Sequence, residues 1–238
     1  MTPEKIISKH ENAPQLSDDR PDEQFQDFYR ACGPDLREKI VGLKETTGNL
    51  EGIDIKIGMM YPPNAKIDEE IKSYCEIPFR RDDGTVWACE GVVLNWKGCP
   101  PHSPAVSETI ECLRQAKAFL IMQFNGLDDT VYQKYIHHFT LQVRKVLLES
   151  DYRIVETYSC GPCRMCVQGC NTEGDCRAPN LRLFALESCG FWVNHLCRKA
   201  SEYPVYGDSN WEIEWLTDWE LPTQSPPTYR SVTGVLLG

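Results

Sequence analysis

Residues 1 to 21 are polar and contain proline, with no periodic placement of apolar side chains, so they read as a flexible arm. From Asp22 the pattern changes. Phe25, Phe28, Tyr29 and Cys32 recur at helical spacing, and beyond Gly33-Pro34 a second helix is expected with Leu36, Ile40 and Leu43 on its inner face. Ile53, Ile55, Ile57 and Met59 follow the two-residue period of a half-buried strand, and Val86 to Cys89 suits another. Ser103-Pro104 marks a helix start, because proline at a first helical position loses no needed N–H; Val106, Ile110 and Leu113 follow on one face. The near-apolar run Ala118 to Phe124 reads as a buried strand. Asp128 or Asp129 then caps a long helix striped by Tyr132, Tyr135, Ile136, Phe139, Val143, Val146 and Leu147, and Ile154 to Tyr158 forms the next strand.

Strand, helix, strand, helix, strand over residues 86 to 158 is the order of a βαβ arrangement. The expected fold class is therefore α/β, a mixed or parallel sheet flanked by helices, with a cysteine-rich loop segment. Residues 22 to 221 are expected to form a single domain. Within it Asn180 to Ser188 and Phe191 to Lys199 look helical, and Trp211, Ile213 and Trp215 alternate with Glu212 and Glu214 as an edge strand does. The proline-rich stretch 222 to 238 is expected to be an irregular tail.

The chain of 238 residues can bury a substantial core without covalent staples. Ala118 to Phe124 is far too short to span a bilayer, which takes about 20 residues, so no membrane association is expected. The net charge of −10 is spread over both halves and no basic stripe exists beyond Arg80-Arg81, which argues against nucleic acid. No secretory signal pattern opens the sequence, so a cytoplasmic location is expected. In a reducing cytoplasm twelve cysteines point to metal rather than to a disulfide scaffold, which needs an oxidising compartment.

The chemistry concentrates in Cys160-Gly-Pro-Cys163-Arg-Met-Cys166-Val-Gln-Gly-Cys170, followed by Cys176. A Cys-x2-Cys-x2-Cys-x3-Cys run with tight spacers can wrap three thiolates around three corners of a [4Fe–4S] cubane, as in bacterial ferredoxins. Zinc is the alternative metal, but it favours separated Cys-x2-Cys knuckles, often with histidine. Packing alone is a poor account of five cysteines among Gly161, Pro162, Gly169 and Gly174. Five thiols exceed what one cubane takes. Either Cys170 or Cys176 reaches a second centre with Cys89 and Cys99, or one cluster uses four of the five and the remaining thiol is spare. Cys99 stands before Pro100-Pro101-His102, a stiffened setting that suits a ligand but also suits a simple turn before the next helix.

These residues resemble a prokaryotic family of cysteine-rich predicted metal-binding proteins of unknown function. The resemblance spans about residues 85 to 195 and rests on Cys99-Pro100-Pro101, Asp151-Tyr152, Gly161-Pro162-Cys163 with Cys166 and Cys170, Cys176-Arg177-x-Pro179, and Glu187 followed by Gly190. It implies Cys163, Cys166, Cys170 and Cys176 as the main ligands and Cys160 as the extra. Two positions depart from the family's pattern. Val93 stands about where a further cysteine belongs between Cys89 and Cys99, so a second complete cluster needs Cys75 or Cys189 as a substitute. Cys189 stands where an apolar residue is expected, which suits core packing, as do Cys112 and Cys197 on their helices.

A closed all-thiolate cluster implies electron transfer to a redox partner protein, or a redox accessory role. A cluster with an open corner implies instead an enzyme using iron as a Lewis acid on a small-molecule substrate, and the chain is longer than a simple carrier needs. A structural zinc in an interaction module is the third class. His102, Glu90, Glu187 and His195 are the polar residues near the motifs, and each also has an ordinary structural reading. His137 and His138 are adjacent on a helix, so only one faces inward. No phosphate loop, nucleophile elbow or zinc-protease motif is present.

Overall fold

A computed structural model describes residues 21–46, 53–76, 79–80, 86–87, 89–126, 130–207, 211 and 229–238. Residues 1–20 of the expected arm 1–21, the caps Asp128 and Asp129, and the alternation over residues 212–215 lie outside them.

The first helix, α1, runs unbroken over Glu23–Thr46 with Pro34 inside it, where two helices were expected. Proline in a helix interior costs about 3 kcal/mol. The apolar stripe keeps its period across that position, however, and Phe25, Leu36 and Ile40 are all buried. At about 1.5–3 kcal/mol for each such side chain, one continuous buried face outweighs the break.

β1 (Asp54–Met60) is buried on both faces rather than one. One face packs toward α1, and the other is covered by a later helix whose end lies so close that a Cβ at Gly58 would collide with the Ala200 carbonyl. After a short 3-10 turn come α2 (Glu69–Tyr74), the two-residue strands β2 (Phe79–Arg80) and β3 (Val86–Trp87), and α3 (Glu90–Val93). α4 (Val106–Arg114) starts at Ala105, where the Glu108 carboxylate accepts the Ala105 N–H at 2.8 Å. Next are β4 (Ala118–Gly126), α5 (Thr130–Glu149) and β5 (Ile154–Ser159), close to expectation.

Residues 180–188 do not form the expected helix. They form a 3-10 turn, the two-residue strand β6 (Phe184–Ala185) and a second 3-10 turn (Glu187–Cys189). The apolar run Leu183 to Leu186 is buried all round, and β6 satisfies its backbone by pairing in parallel with Tyr158 and Ser159 of β5. α6 (Val193–Ala200) and β7 (Pro204–Tyr206) follow.

The larger correction concerns the tail, which ends in β8 (Tyr229–Leu237), a central strand. The sheet order is β6-β5-β8-β4-β1-β7, and β8 pairs antiparallel with both β4 and β5. β4, α5 and β5 thus make a crossover between two parallel strands with β8 inserted between them, and the mixed α/β sheet is as expected. β2 and β3 form a separate hairpin.

Alternation along β4 divides the core. Leu120, Met122 and Phe124 face α1 and α5 with Phe139 and Val143, while Phe119 and Ile121 face the opposite layer with Phe191, Leu196 and Leu186. Among the described residues no helix is long and apolar enough to cross a membrane.

Candidate metal centre

The cysteine segment leaves the C-terminal end of β5, the end where open α/β sheets place their ligands. Cys160 does not join the loop that follows. It is buried in the core cluster of α1 and α5, its sulfur lies 3.6 Å from His137 Nε2, and burial pushes that thiol up to about 12. The charges acting on it are those of Glu187 and Arg164, not of other cysteines.

Beneath the segment His137 is fully buried, whereas His138 on the next position is exposed. Its Nε2–H donates to the Cys160 carbonyl at 2.9 Å, and its Nδ1 accepts the Arg164 N–H at 3.3 Å. That pattern requires the neutral ring, and burial lowers its pKa to about 4. His137 is therefore a brace for the loop's first turn. Arg164 then reaches outward, pairing with Glu90 at 2.7 Å, donating to Gln133 at 2.9 Å, and lying over the Trp96 ring.

The next four cysteines share one loop. Gly161 (φ +55°) and Gly169 (φ +76°) take left-handed turns that other residues adopt at a cost, and Gly169 N–H closes its turn on the Cys166 carbonyl. Burial raises the pKa of Cys163, and the charges of Cys166 and Cys176 raise it further. The main chain at Leu183 and Met165 acts in the other direction and lowers it. Cys166 is raised by burial and by Cys176 and Cys170, against Arg177. The Lys97 N–H donates to Cys170 Sγ at 3.3 Å. Cys170 thus receives a main-chain donor.

A short staple fixes the loop's far side. The Thr172 carbonyl accepts from Asn95 Nδ2 at 3.0 Å and from the nearly buried Lys97 Nζ at 3.5 Å. His102 sits in the same network, 2.8 Å from Asn95 Oδ1 and 3.0 Å from Lys97 Nζ, and Glu90 is engaged by Arg164. Close approach is possible because residue 98 is glycine, where a Cβ would strike the Leu183 carbonyl and come within 3.2 Å of Cys163 Cβ.

Cys99 is buried behind that glycine, and Cys89 caps the start of α3. Burial raises the Cys99 thiol first, then the charges of Cys89, Cys75, Glu187 and Cys163. Cys75, at the end of α2, is raised in the same way by burial, Glu187, Cys89 and Cys189. Sequence spacing gives no sign of this convergence, since Cys75 stands alone in its segment. Glu187 is half-buried and desolvation raises its carboxyl.

The remaining candidates are elsewhere or inert. His195 packs on Trp192 with its ring nitrogen 2.8 Å from the Asn64 carbonyl, and burial lowers its pKa to about 4. Cys189 is fully buried in the second core cluster with Cys197, against which Cys112 packs. Among the described residues no three cysteine, histidine or carboxylate side chains gather tightly enough to hold a single metal ion.

No curated protein and no solved structure matches the chain. Residues 84–217 match the model of a predicted metal-binding protein family, DUF2284, a span of more than half the chain that takes in the whole loop, Cys89, Cys99 and Glu187 but not Cys75. The resemblance read from the cysteine motifs is thereby met: the chain belongs to the DUF2284 family of predicted metal-binding proteins.

Proposed function

We propose that this protein holds an iron–sulfur cluster, [4Fe–4S] on the spacing, through Cys163, Cys166, Cys170 and Cys176, and that it acts in electron transfer with a redox partner protein or as a redox accessory in the cytoplasm. The observation that carries this reading is the loop itself: four thiols on one 14-residue stretch, with the Lys97 N–H donating to the sulfur of Cys170. Such donors stabilise negative charge on sulfur and are a principal lever on reduction potential.

The donor set fits the group. It is all-thiolate and no histidine shares the loop, and a tetrahedral zinc with Zn–S of about 2.3 Å needs its sulfurs about 3.8 Å apart. A cubane asks for a wider set, because each thiolate sits on its own iron. A bound cluster supplies one-electron chemistry. The chain's own contribution is to orient the thiolates through Gly161 and Gly169 and to hold all four at partly exposed positions. The net charge of −10 favours docking on a basic partner.

The test is anaerobic purification followed by iron, acid-labile sulfide and zinc per chain, with an EPR spectrum after dithionite reduction. At least about four irons and four sulfides with a reduced-cluster signal are expected. Zinc without sulfide would overturn the reading in favour of a structural interaction module.

A further inference from the structure

Beside the loop lies a second group of thiols, assembled from segments distant in sequence. α2 is tied at its start by the Asp68 N–H donating to the Gly190 carbonyl at 2.9 Å. Farther along, Lys72 Nζ donates to the carbonyls of Ser103 at 3.3 Å and Pro104 at 2.7 Å. These bonds hold Cys75, the helix's last cap, against both the turn that begins at Cys99 and the turn of Glu187. Gly98 completes the seating: its carbonyl accepts the Ala185 N–H and the Ser188 hydroxyl, each at 3.2 Å. From the third side α3 lays Gly91 on Cys99, so closely that a Cβ there would collide with Cys99 Sγ and lie 2.9 Å from Pro162. Cys89 is one residue before that helix.

We infer that Cys75, Cys89 and Cys99 hold a second iron–sulfur cluster, with the Glu187 carboxylate at the corner that lacks a thiolate. Packing does not account for the group. A purely structural interior would place apolar side chains here, and a half-buried carboxylate with no ion pair among the described residues is costly beside three thiols. A bound cationic centre removes that cost and uses every member of the group. Three thiolates on a cubane leave one iron to a weaker oxygen ligand, which a small molecule with an oxygen or sulfur donor can displace. The Gly98 backbone separates Cys99 from Cys163, so the two sites adjoin, and of the two sets only Cys99 is buried. This inference rests on the iron–sulfur reading of the loop, and the experiment separates the two.

Wild-type chain, Cys75→Ser, Cys89→Ser, Cys163→Ser and the control Cys112→Ser are purified without oxygen and compared for iron, sulfide and EPR spin count after dithionite. Wild type and Cys112→Ser should carry about eight irons; Cys75→Ser and Cys89→Ser should keep about four with one cluster signal, and Cys163→Ser should keep the other signal. About four irons in wild type, untouched by Cys75→Ser but lost in Cys163→Ser, would overturn the second site and leave the loop reading standing. About four irons lost in Cys75→Ser but kept in Cys163→Ser would support this site and overturn the loop. Zinc without sulfide would overturn both. Should either serine variant fail to fold by circular dichroism, Glu187→Gln serves: it should keep the iron count while changing one of two EPR signals, and an unchanged spectrum would remove Glu187 from the site.

Discussion

The two cysteine groups are built in opposite ways. The loop group draws Cys163, Cys166, Cys170 and Cys176 from one short stretch held by glycine turns and a main-chain donor, and all four residues are partly exposed. The inner group draws Cys75, Cys89, Cys99 and Glu187 from across more than a hundred residues, and its arrangement exists only when α2, α3 and the turns after Gly98 and Leu186 are packed together. The first group takes its cysteines from local sequence, although His137, Asn95 and Lys97 brace it from elsewhere in the fold. The second is a product of the fold.

The sharpest way to break this contrast is through ligands. Cys166→Ser should remove the loop's iron, about four atoms per chain, while leaving the unfolding midpoint in urea close to wild type; a collapse of the fold would show that the loop is structural after all. Gly91→Ala should do the reverse. Its new methyl collides with Cys99 Sγ, so the inner group should lose iron and the fold should lose about 1–3 kcal/mol, measured by urea denaturation; unchanged iron and stability would show that Cys99 has room to move.

How much of this was readable beforehand follows the same division. The cysteine loop and the strands β4 and β5 are legible because their signals are contiguous: two-residue spacers between cysteines, an apolar run, a helical stripe. Cys75 was named only as a possible substitute, since nothing around it marks a ligand, and the bonds from Lys72 and Asp68 that seat its helix are long-range. β8 was misread because the prolines ahead of it dominate the local pattern, although Val232, Val235, Leu236 and Leu237 form a strongly apolar end. Residues 180–188 misled in the other direction: a segment buried on all sides has no period to distinguish strand from helix, and edge pairing with β5 decided it.

Acid should weaken both groups by a shared route that involves neither. His195 is buried and neutral, with its pKa lowered to about 4 against about 6.5 in an unfolded chain. Its contribution is complete above pH 6.5 and is lost as pH falls toward 4, because the unfolded state takes up the proton first; the loss reaches about 3 kcal/mol. Stability measured across that range should decline in wild type and decline less in His195→Gln, and parallel curves would remove His195 as the cause.

A smaller effect should sharpen the loop's side of the comparison. Lys97→Met removes the ammonium that reaches Thr172 and His102 but keeps the N–H on Cys170, so iron content should hold. Chelators should strip the loop several-fold faster, with stability down by about 1–2 kcal/mol; equal stripping rates would mean that Asn95 alone fixes the loop. The smallest effect is expected at Cys112, which is half-buried beside the second core: serine there should leave iron unchanged and shift stability by about 0.5–1 kcal/mol.

The position of β8 has a consequence for the order of events during synthesis. Its partners β4 and β5 leave the ribosome some 70 to 110 residues ahead of it, and until Tyr229–Leu237 emerges each has an unfilled edge. The cysteine segment is therefore synthesised before the sheet has its central strand. On the proposed assignment, the loop's ligands are all made before Glu187 of the second site, and both sets before the strand that closes the scaffold.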